Sequence, residues 1–268
     1  MRRLVWGSIL VWGSILTSGF VTMSVTTQAQ GPNNTSRSGC AALPSWSALK
    51  EALSAAQAQN NGLLHLEMWG TVVNRDGVVC AVAFTGNDRG DQWPGSRVIS
   101  AQKANTGNEF SLPGLALSTA NLYSAVQPGG SLFGLQESNP VSTTVAYSGS
   151  PAQYGQQEDG MVGGRIGGIN VFGGGLPLYN AEGTLVGGLG VSGDTSCADH
   201  NVAWRTRNIL NLDYVPAGVS GDAARPDTIV YDITPQAGQM PGVSAGGWGH
   251  PRCFAEDVTA SGTLPATK

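Results

Sequence analysis

Apolar and polar positions alternate along this chain with two different periods, and the switches between them mark its elements. Leu49, Leu53 and Ala56 recur at steps of four and three, which predicts a helix over Ser45–Gln59. Pro44 and Ser45 suit its start, and Asn60, Asn61 and Gly62 suit its end. An extended run, Leu63–Val73, then reads as a strand. Asn74, Arg75, Asp76 and Gly77 form a turn, and Val78–Phe84 returns as the second arm of a hairpin. A polar loop over Gly86–Gly95 leads to a helix at Arg97–Phe110, where Val98, Ala101 and Ala104 keep helical spacing. A shorter helix is expected at Leu117–Val126, closed by Pro128, Gly129 and Gly130.

Ser131–Gly168 carries no clear period and reads as a long loop of the kind that is usually functional or partly structured. A short strand follows at Ile169–Phe172, then a second hairpin: Leu176–Tyr179, a turn over Asn180–Gly183, and Thr184–Val191. Thr195–Leu210 is a helix with Thr195 or Ser196 as its cap and Arg205 and Arg207 toward its C-terminal end. The tail from Asp213 is rich in Pro and Gly, with one strand-like piece at Thr228–Ile233. Hairpins dominate, so the fold class expected is α+β, with a mainly antiparallel sheet and helices on its faces.

Composition narrows the function. Of 268 residues, 41% are hydrophobic and 12% charged, with 39 glycines and a formal net charge of −4. This material suffices for one full core with an appendage. No basic stripe is present, which removes the electrostatic basis for binding nucleic acid.

The first residues have the form of a leader. Met1, Arg2 and Arg3 are a basic start, Leu4–Val25 is mostly apolar with a tandem VWGSIL, and Thr27, Gln28 and Ala29 fit a cleavage site. Residues 1–29 are therefore read as a signal peptide and 30–44 as a flexible lead-in, with an uncleaved anchor as the alternative. No second stretch could span a bilayer, so no stable membrane span is expected after its removal. The localisation expected is periplasmic or secreted. Cys40, Cys80, Cys197 and Cys253 are an even set that an oxidising compartment would pair. Cys40–Cys80 and Cys197–Cys253 are the geometrically easiest pairs, the second folding the extension 213–268 back onto the domain. Four buried free thiols are the alternative, and no CxxC spacing suggests a metal site.

Three segments together resemble one family. They are "TVVNRDGVVCAVAF", the helix "SRVISAQKANTGNEF", and "GGGLPLYNAEGTLVGGLGVSGDTSCADHNVAWR", which pairs a glycine-rich hairpin with a helix carrying an early Asp199. They resemble the GlcG/HbpS-like heme-binding family, its longer secreted branch in particular, a domain also found at the end of some corrinoid adenosyltransferases. The resemblance runs from about Ser45 to Leu210, within a domain taken as 45–212. It implies a profilin-like three-layer α/β/α fold, homo-oligomerisation through broad faces, and heme as the cofactor. Two departures stand out: Asn74 replaces the family's usual Asp in the first strand–turn, and the 131–168 insertion and the C-terminal tail have no counterpart in short members.

On this reading the sparse side chains of the second hairpin admit a flat ligand, and the helix tip after Gly193 suits an anionic group such as a propionate. Close helix-on-sheet or subunit packing, with no ligand, is the equal alternative. Heme iron takes His, Met, Cys or Tyr. The candidate iron ligands are His200, beside Asp199 as its orienter, and His65, on a strand face with Glu67 and Trp69. His250, near Cys253, is a third candidate that a folded-back tail could bring beside His200. Lys103, Arg97, Arg165 and Arg205 are candidate propionate partners, with plain solvated charge as the default. Met68 and Met161 read as packing residues.

No catalytic residue is assigned. Ser192 lacks the register of a nucleophile elbow, and Asp88, Asp91 and Glu158 lack paired spacing. The function expected is heme sequestration, carriage or sensing, more a binding protein than an enzyme. The alternatives are an enzyme acting on a small organic or corrinoid-like molecule, and a structural oligomer without ligand.

Overall fold

A computed structural model of the chain describes residues 39–268. The expected signal peptide and most of the lead-in lie outside these residues. Helix α1 (Trp46–Gln57) precedes a hairpin of β1 (Trp69–Asn74) and β2 (Val79–Phe84), then helix α2 (Ser96–Glu109). Two one-turn helices, α3 (Leu135–Ser138) and α4 (Thr143–Ala146), interrupt the long middle segment. The second hairpin is β3 (Gly175–Tyr179) and β4 (Leu185–Ser192), followed by helix α5 (Ser196–Ile209). The tail adds a hairpin of β5 (Ile233–Gln236) and β6 (Gln239–Ser244), and helix α6 (Ala255–Ser261).

The main sheet has the order β2-β1-β4-β3, with every pairing antiparallel. Side-chain alternation gives it two buried faces. Val72, Ala81, Leu176, Leu178, Leu189 and Val191 point to one face and pack against Leu49 and Leu53 of α1 and Val202 and Trp204 of α5. Trp69, Val73, Val82 and Phe84 point to the other and pack against Val98, Ala101 and Ala104 of α2. The fold is therefore an α+β, three-layer α/β/α arrangement, as the resemblance implies.

Local chemistry explains the elements that form. Ser45 caps α1 by accepting from the Ala48 N–H at 3.2 Å, and Thr195 caps α5 by accepting from the Ala198 N–H at 3.1 Å. In the first turn, Asn74 Oδ1 accepts from the N–H groups of Asp76 and Val78 at 2.9 and 3.0 Å. An aspartate carboxylate could accept both bonds, so the Asn74 departure leaves the turn intact.

Local chemistry also explains where the expected elements fail. Leu117–Val126 is a turn ending in a short 3-10 stretch at Ser124–Val126 rather than a helix. Asn121 Oδ1 accepts from both the Ser118 N–H and its hydroxyl, which closes a side-chain turn in place of a helical one. The first strand begins at Trp69 and not at Leu63. The Leu63 and Leu66 N–H groups donate instead to the carboxylates of Asp257 and Asp194, so they have no part in a ladder. Ile169–Phe172 forms no strand, since the Asn170 N–H donates to the Thr106 hydroxyl and the Phe172 carbonyl accepts from Thr119. In the tail, regular pairing starts only at Ile233, because the Ile229 N–H and the Val230 carbonyl are engaged by His200 and His250.

Both disulfides have the expected pairing, Cys40–Cys80 and Cys197–Cys253. Among the described residues no helix is long and apolar enough to cross a membrane.

Candidate functional site

The glycine-rich hairpin is not the open wall of a crevice; helix α2 lies directly on it. A Cβ at Gly188 would strike the Ala104 carbonyl, and one at Gly190 would strike the Ser100 carbonyl, both in α2. From the helix side, a Cβ on Gly107 would press on the Leu176 backbone at 3.0 Å. The missing side chains let helix and sheet approach each other, which is the packing alternative.

The tip of α5 is likewise occupied by the protein's own carboxylates. Asp199 Oδ2 accepts from Lys103 Nζ at 2.6 Å, and Asp199 Oδ1 accepts from the Asp194 N–H at 2.9 Å. Lys103 also donates to the Val191 carbonyl and sits 4.4 Å from the centre of the Phe172 ring. Burial pushes the Asp199 carboxyl up to about 6 and the Lys103 ammonium down. Their mutual attraction opposes both shifts. Lys103 thus spends its charge on Asp199. A second carboxylate, Asp257 of α6, accepts from the Thr195 hydroxyl and the Leu63 N–H at 2.5 and 2.9 Å.

The three histidines are dispersed among different environments. His200 is buried, and its Nε2 accepts from the Ile229 N–H at 3.1 Å while Nδ1 has no partner. Burial, followed by the nearby Arg207, His250 and Lys103, pushes it well below its ordinary value. His250 is buried too, with Nδ1 2.7 Å from the Pro251 carbonyl and Nε2 accepting from the Gly173 N–H at 3.4 Å. Burial drops it to about 4. The folded-back tail thus brings His250 into the neighbourhood of His200, but its backbone occupies the rings. His65 is exposed, with φ 52°, outside the sheet and not on a face shared with Trp69.

The remaining candidates have protein partners or solvent. Arg205 donates to Gln59 Oε1 and Thr263 Oγ1. Arg97 is buried, grips Asp159 through two nitrogens, and stacks 3.6 Å from the centre of the Tyr154 ring. Arg165 is exposed. A Cβ at Gly193 would meet the Glu67 carbonyl, so that glycine serves close packing. Met68 and Met161 are core residues.

A cleft does exist, at the tip of a different helix. About 480 Å³ opens at the N-terminus of α2, between the 88–95 loop and the 147–154 segment. Trp69, Pro94, Val98, Tyr147 and Tyr154 line it, with Arg89 at its rim. Its volume lies in the range of small-molecule sites. Gly95 stands at the cap position of helix α2 and provides no side-chain cap. The Ser96 and Arg97 N–H groups donate to the Trp93 and Pro94 carbonyls, and Asp88 is a carboxylate in the lining, so the positive end of the helix dipole, rather than a row of free donors, is what α2 presents to this region. Aromatic walls, two phenols and the Arg89 guanidinium fit a flat, acid-bearing guest whose acid groups lie on the Arg89 side and away from Asp88. Sequence reasoning missed this site because its walls are separated by some 60 residues. The one signal present was glycine at the start of a helix, where a capping side chain is usual.

The sequence matches the family described as "Haem degrading protein HbpS-like" over residues 45–207. The chain belongs to the HbpS-like family. Among solved structures, a PduOC–heme complex is 22% identical, with 62% of this chain and 91% of that chain covered and a TM-score of 0.43. The ORFY protein of Klebsiella pneumoniae is 25% identical, with coverage of 62% and 90% and a TM-score of 0.42. HbpS is 17% identical, with coverage of 62% and 86% and a TM-score of 0.38. No curated protein matches the chain.

Proposed function

We propose that this HbpS-like protein is an exported heme-binding protein that takes heme, or a similar flat tetrapyrrole, into the cleft at the N-terminus of α2. One observation carries the reading: an aromatic cleft of about 480 Å³ adjoins an uncapped helix tip and Arg89. The apolar walls suit the macrocycle. Arg89 and the positive end of the α2 dipole suit its propionates. Tyr147 and Tyr154 supply phenols, one of the ligand types iron accepts. When bound, heme would supply redox-active iron; this chain's residues hold the ring and exclude water from one face. Membership of a family described by haem degradation supports the ligand class, and two disulfides support an oxidising compartment.

Titration of the purified protein with hemin tests this. A Soret shift is expected, weakened in Arg89→Ala and altered in position in Tyr147→Phe or Tyr154→Phe. A spectrum identical to free hemin overturns the reading. So does a shift that survives all three cleft variants but disappears in His200→Ala or His65→Ala.

A further inference from the structure

Away from the cleft, the tail meets helix α5 at a disulfide with a histidine beside it. The sulfurs of Cys197 and Cys253 and a ring nitrogen of His250 all lie within 4.8 Å of one another. We propose that reduction of the Cys197–Cys253 disulfide turns this corner into a two-thiolate, one-imidazole site for a divalent zinc-like cation.

Three features prepare the corner. First, contacts other than the disulfide also join the segments that carry the two cysteines. Asp257 binds the Thr195 hydroxyl and the Leu63 N–H, the Asn201 amide donates to the Asp257 carbonyl at 3.0 Å, and the Trp204 indole donates to the Pro265 carbonyl at 3.0 Å. These contacts tie the tail to α5 on the C-terminal side of Cys253. On the other side, the His250 N–H donates to the Val230 carbonyl at 2.7 Å, and the adjacent Ile229 N–H donates to His200 of α5 at 3.1 Å. Opening the S–S bond leaves these anchors in place, and the sulfurs need only part to roughly 3.7 Å to share a tetrahedral zinc.

Second, the imidazole is already oriented. The Pro251 carbonyl lies 2.7 Å from Nδ1, the backbone contact that commonly fixes the tautomer of metal-bound histidines and leaves Nε2 with its lone pair. The 3.4 Å contact from the Gly173 N–H is a weak competitor for that lone pair. Third, Cys197 lies in the first turn of a 14-residue helix, where the dipole favours thiolate. Cys253 is only half-buried, so a reductant and a fourth, solvent ligand have access from its side.

The chemistry balances with a dithiol as co-reactant. Its two thiols transfer two electrons and two protons to the S–S bond and close to their own disulfide. Cys197 and Cys253 become thiols, and both release a proton to solvent as the cation binds. The Cys40–Cys80 disulfide has no comparable histidine and serves as the internal control.

The probe is Co2+, added to the full chain before and after reduction with a phosphine, which itself becomes a phosphine oxide with oxygen from water. The oxidised protein should bind none at this corner. The reduced protein should bind one Co2+ per chain with thiolate-to-cobalt charge-transfer absorption, displaced by Zn2+. The Cys40→Ser/Cys80→Ser variant should retain this signal and Cys197→Ser/Cys253→Ser should lose it. His250→Gln, which keeps the disulfide for folding, should weaken binding after reduction by about tenfold or more. The proposal is overturned by binding without charge-transfer bands, by binding that survives the loss of Cys197 and Cys253, by affinity unchanged in His250→Gln, or by a reduced chain that unfolds and takes up no cobalt.

Discussion

Thr195 and Asp257 join the core domain to its tail: the Thr195 hydroxyl donates to Asp257 Oδ2 at 2.5 Å while its oxygen caps α5 by accepting from the Ala198 N–H. One hydroxyl thus uses both its donor and its acceptor capacity. Asp257 also accepts from the Leu63 N–H, and it is fully buried. Replacing Asp257 by Ala leaves these donors without a partner. An unsatisfied buried group costs about 1–3 kcal/mol, and these two donors are only partly buried, so a loss of about 2 kcal/mol is expected in urea unfolding. A loss below about 1 kcal/mol would show that the tail contributes little to the stability of the domain.

The Lys103–Asp199 pair is enclosed between α2, β4 and α5, with neither side chain exposed by more than 1%. Removing one partner leaves a buried charge alone. Lys103→Met and Asp199→Leu should each destabilise the protein by about 3–5 kcal/mol. The double variant should lose less than the sum of the two, since no charge is left unpaired. Additive losses in a double-mutant cycle would contradict the coupling.

Acid should destabilise the oxidised, metal-free protein before its carboxylates as a class are protonated. His250 is held neutral down to about 4, and His200 is depressed as well, whereas both take up a proton near 6.5 when unfolded. The unfolded state therefore binds more protons in this window, and stability is lost as pH falls below 6.5. For His250 alone the loss by pH 5 is about 2 kcal/mol. Asp199, raised to about 6, acts in the opposite direction and returns about 1 kcal/mol by pH 5. With His200 added to His250, the histidines outweigh it. Urea midpoints at pH 7 and pH 5 check this; an unchanged or higher midpoint at pH 5 would refute it.

Two glycines in the same hairpin should behave differently. A Cβ at Gly190 would collide with the Ser100 backbone in α2. Gly190→Ala should cost about 3 kcal/mol or more, the upper range for overpacking. Gly183 lies in the β3–β4 turn with φ 70° and open space around it. Gly183→Ala should cost about 1 kcal/mol, from backbone strain alone. Thermal melts of the two variants separate tight packing from turn geometry.

The main elements of the domain were legible because their causes are local. Ser45 caps the helix whose start it suits, Thr195 rather than Ser196 caps α5, and both hairpins turn where Gly77 and Gly183 permit. Leu117–Val126 was illegible because its apolar spacing hid the Ser118–Asn121 side-chain turn. His65 left the sheet for a nonlocal reason: carboxylates from residues 194 and 257 took the backbone donors around it.

By itself, the sequence determined the three main helices, the two antiparallel hairpins of the main sheet, the easiest cysteine pairing and the family, because each depends on near neighbours or on a motif read in line. Only the tertiary structure decided what the glycines and histidines do. Gly188 and Gly190 make room for α2, His200 and His250 are engaged by backbone from distant segments, and the helix end beside the cleft belongs to α2 rather than α5. The physical reason is that a side chain's partners, and whether a helix end is covered or free, depend on which remote segment packs against it.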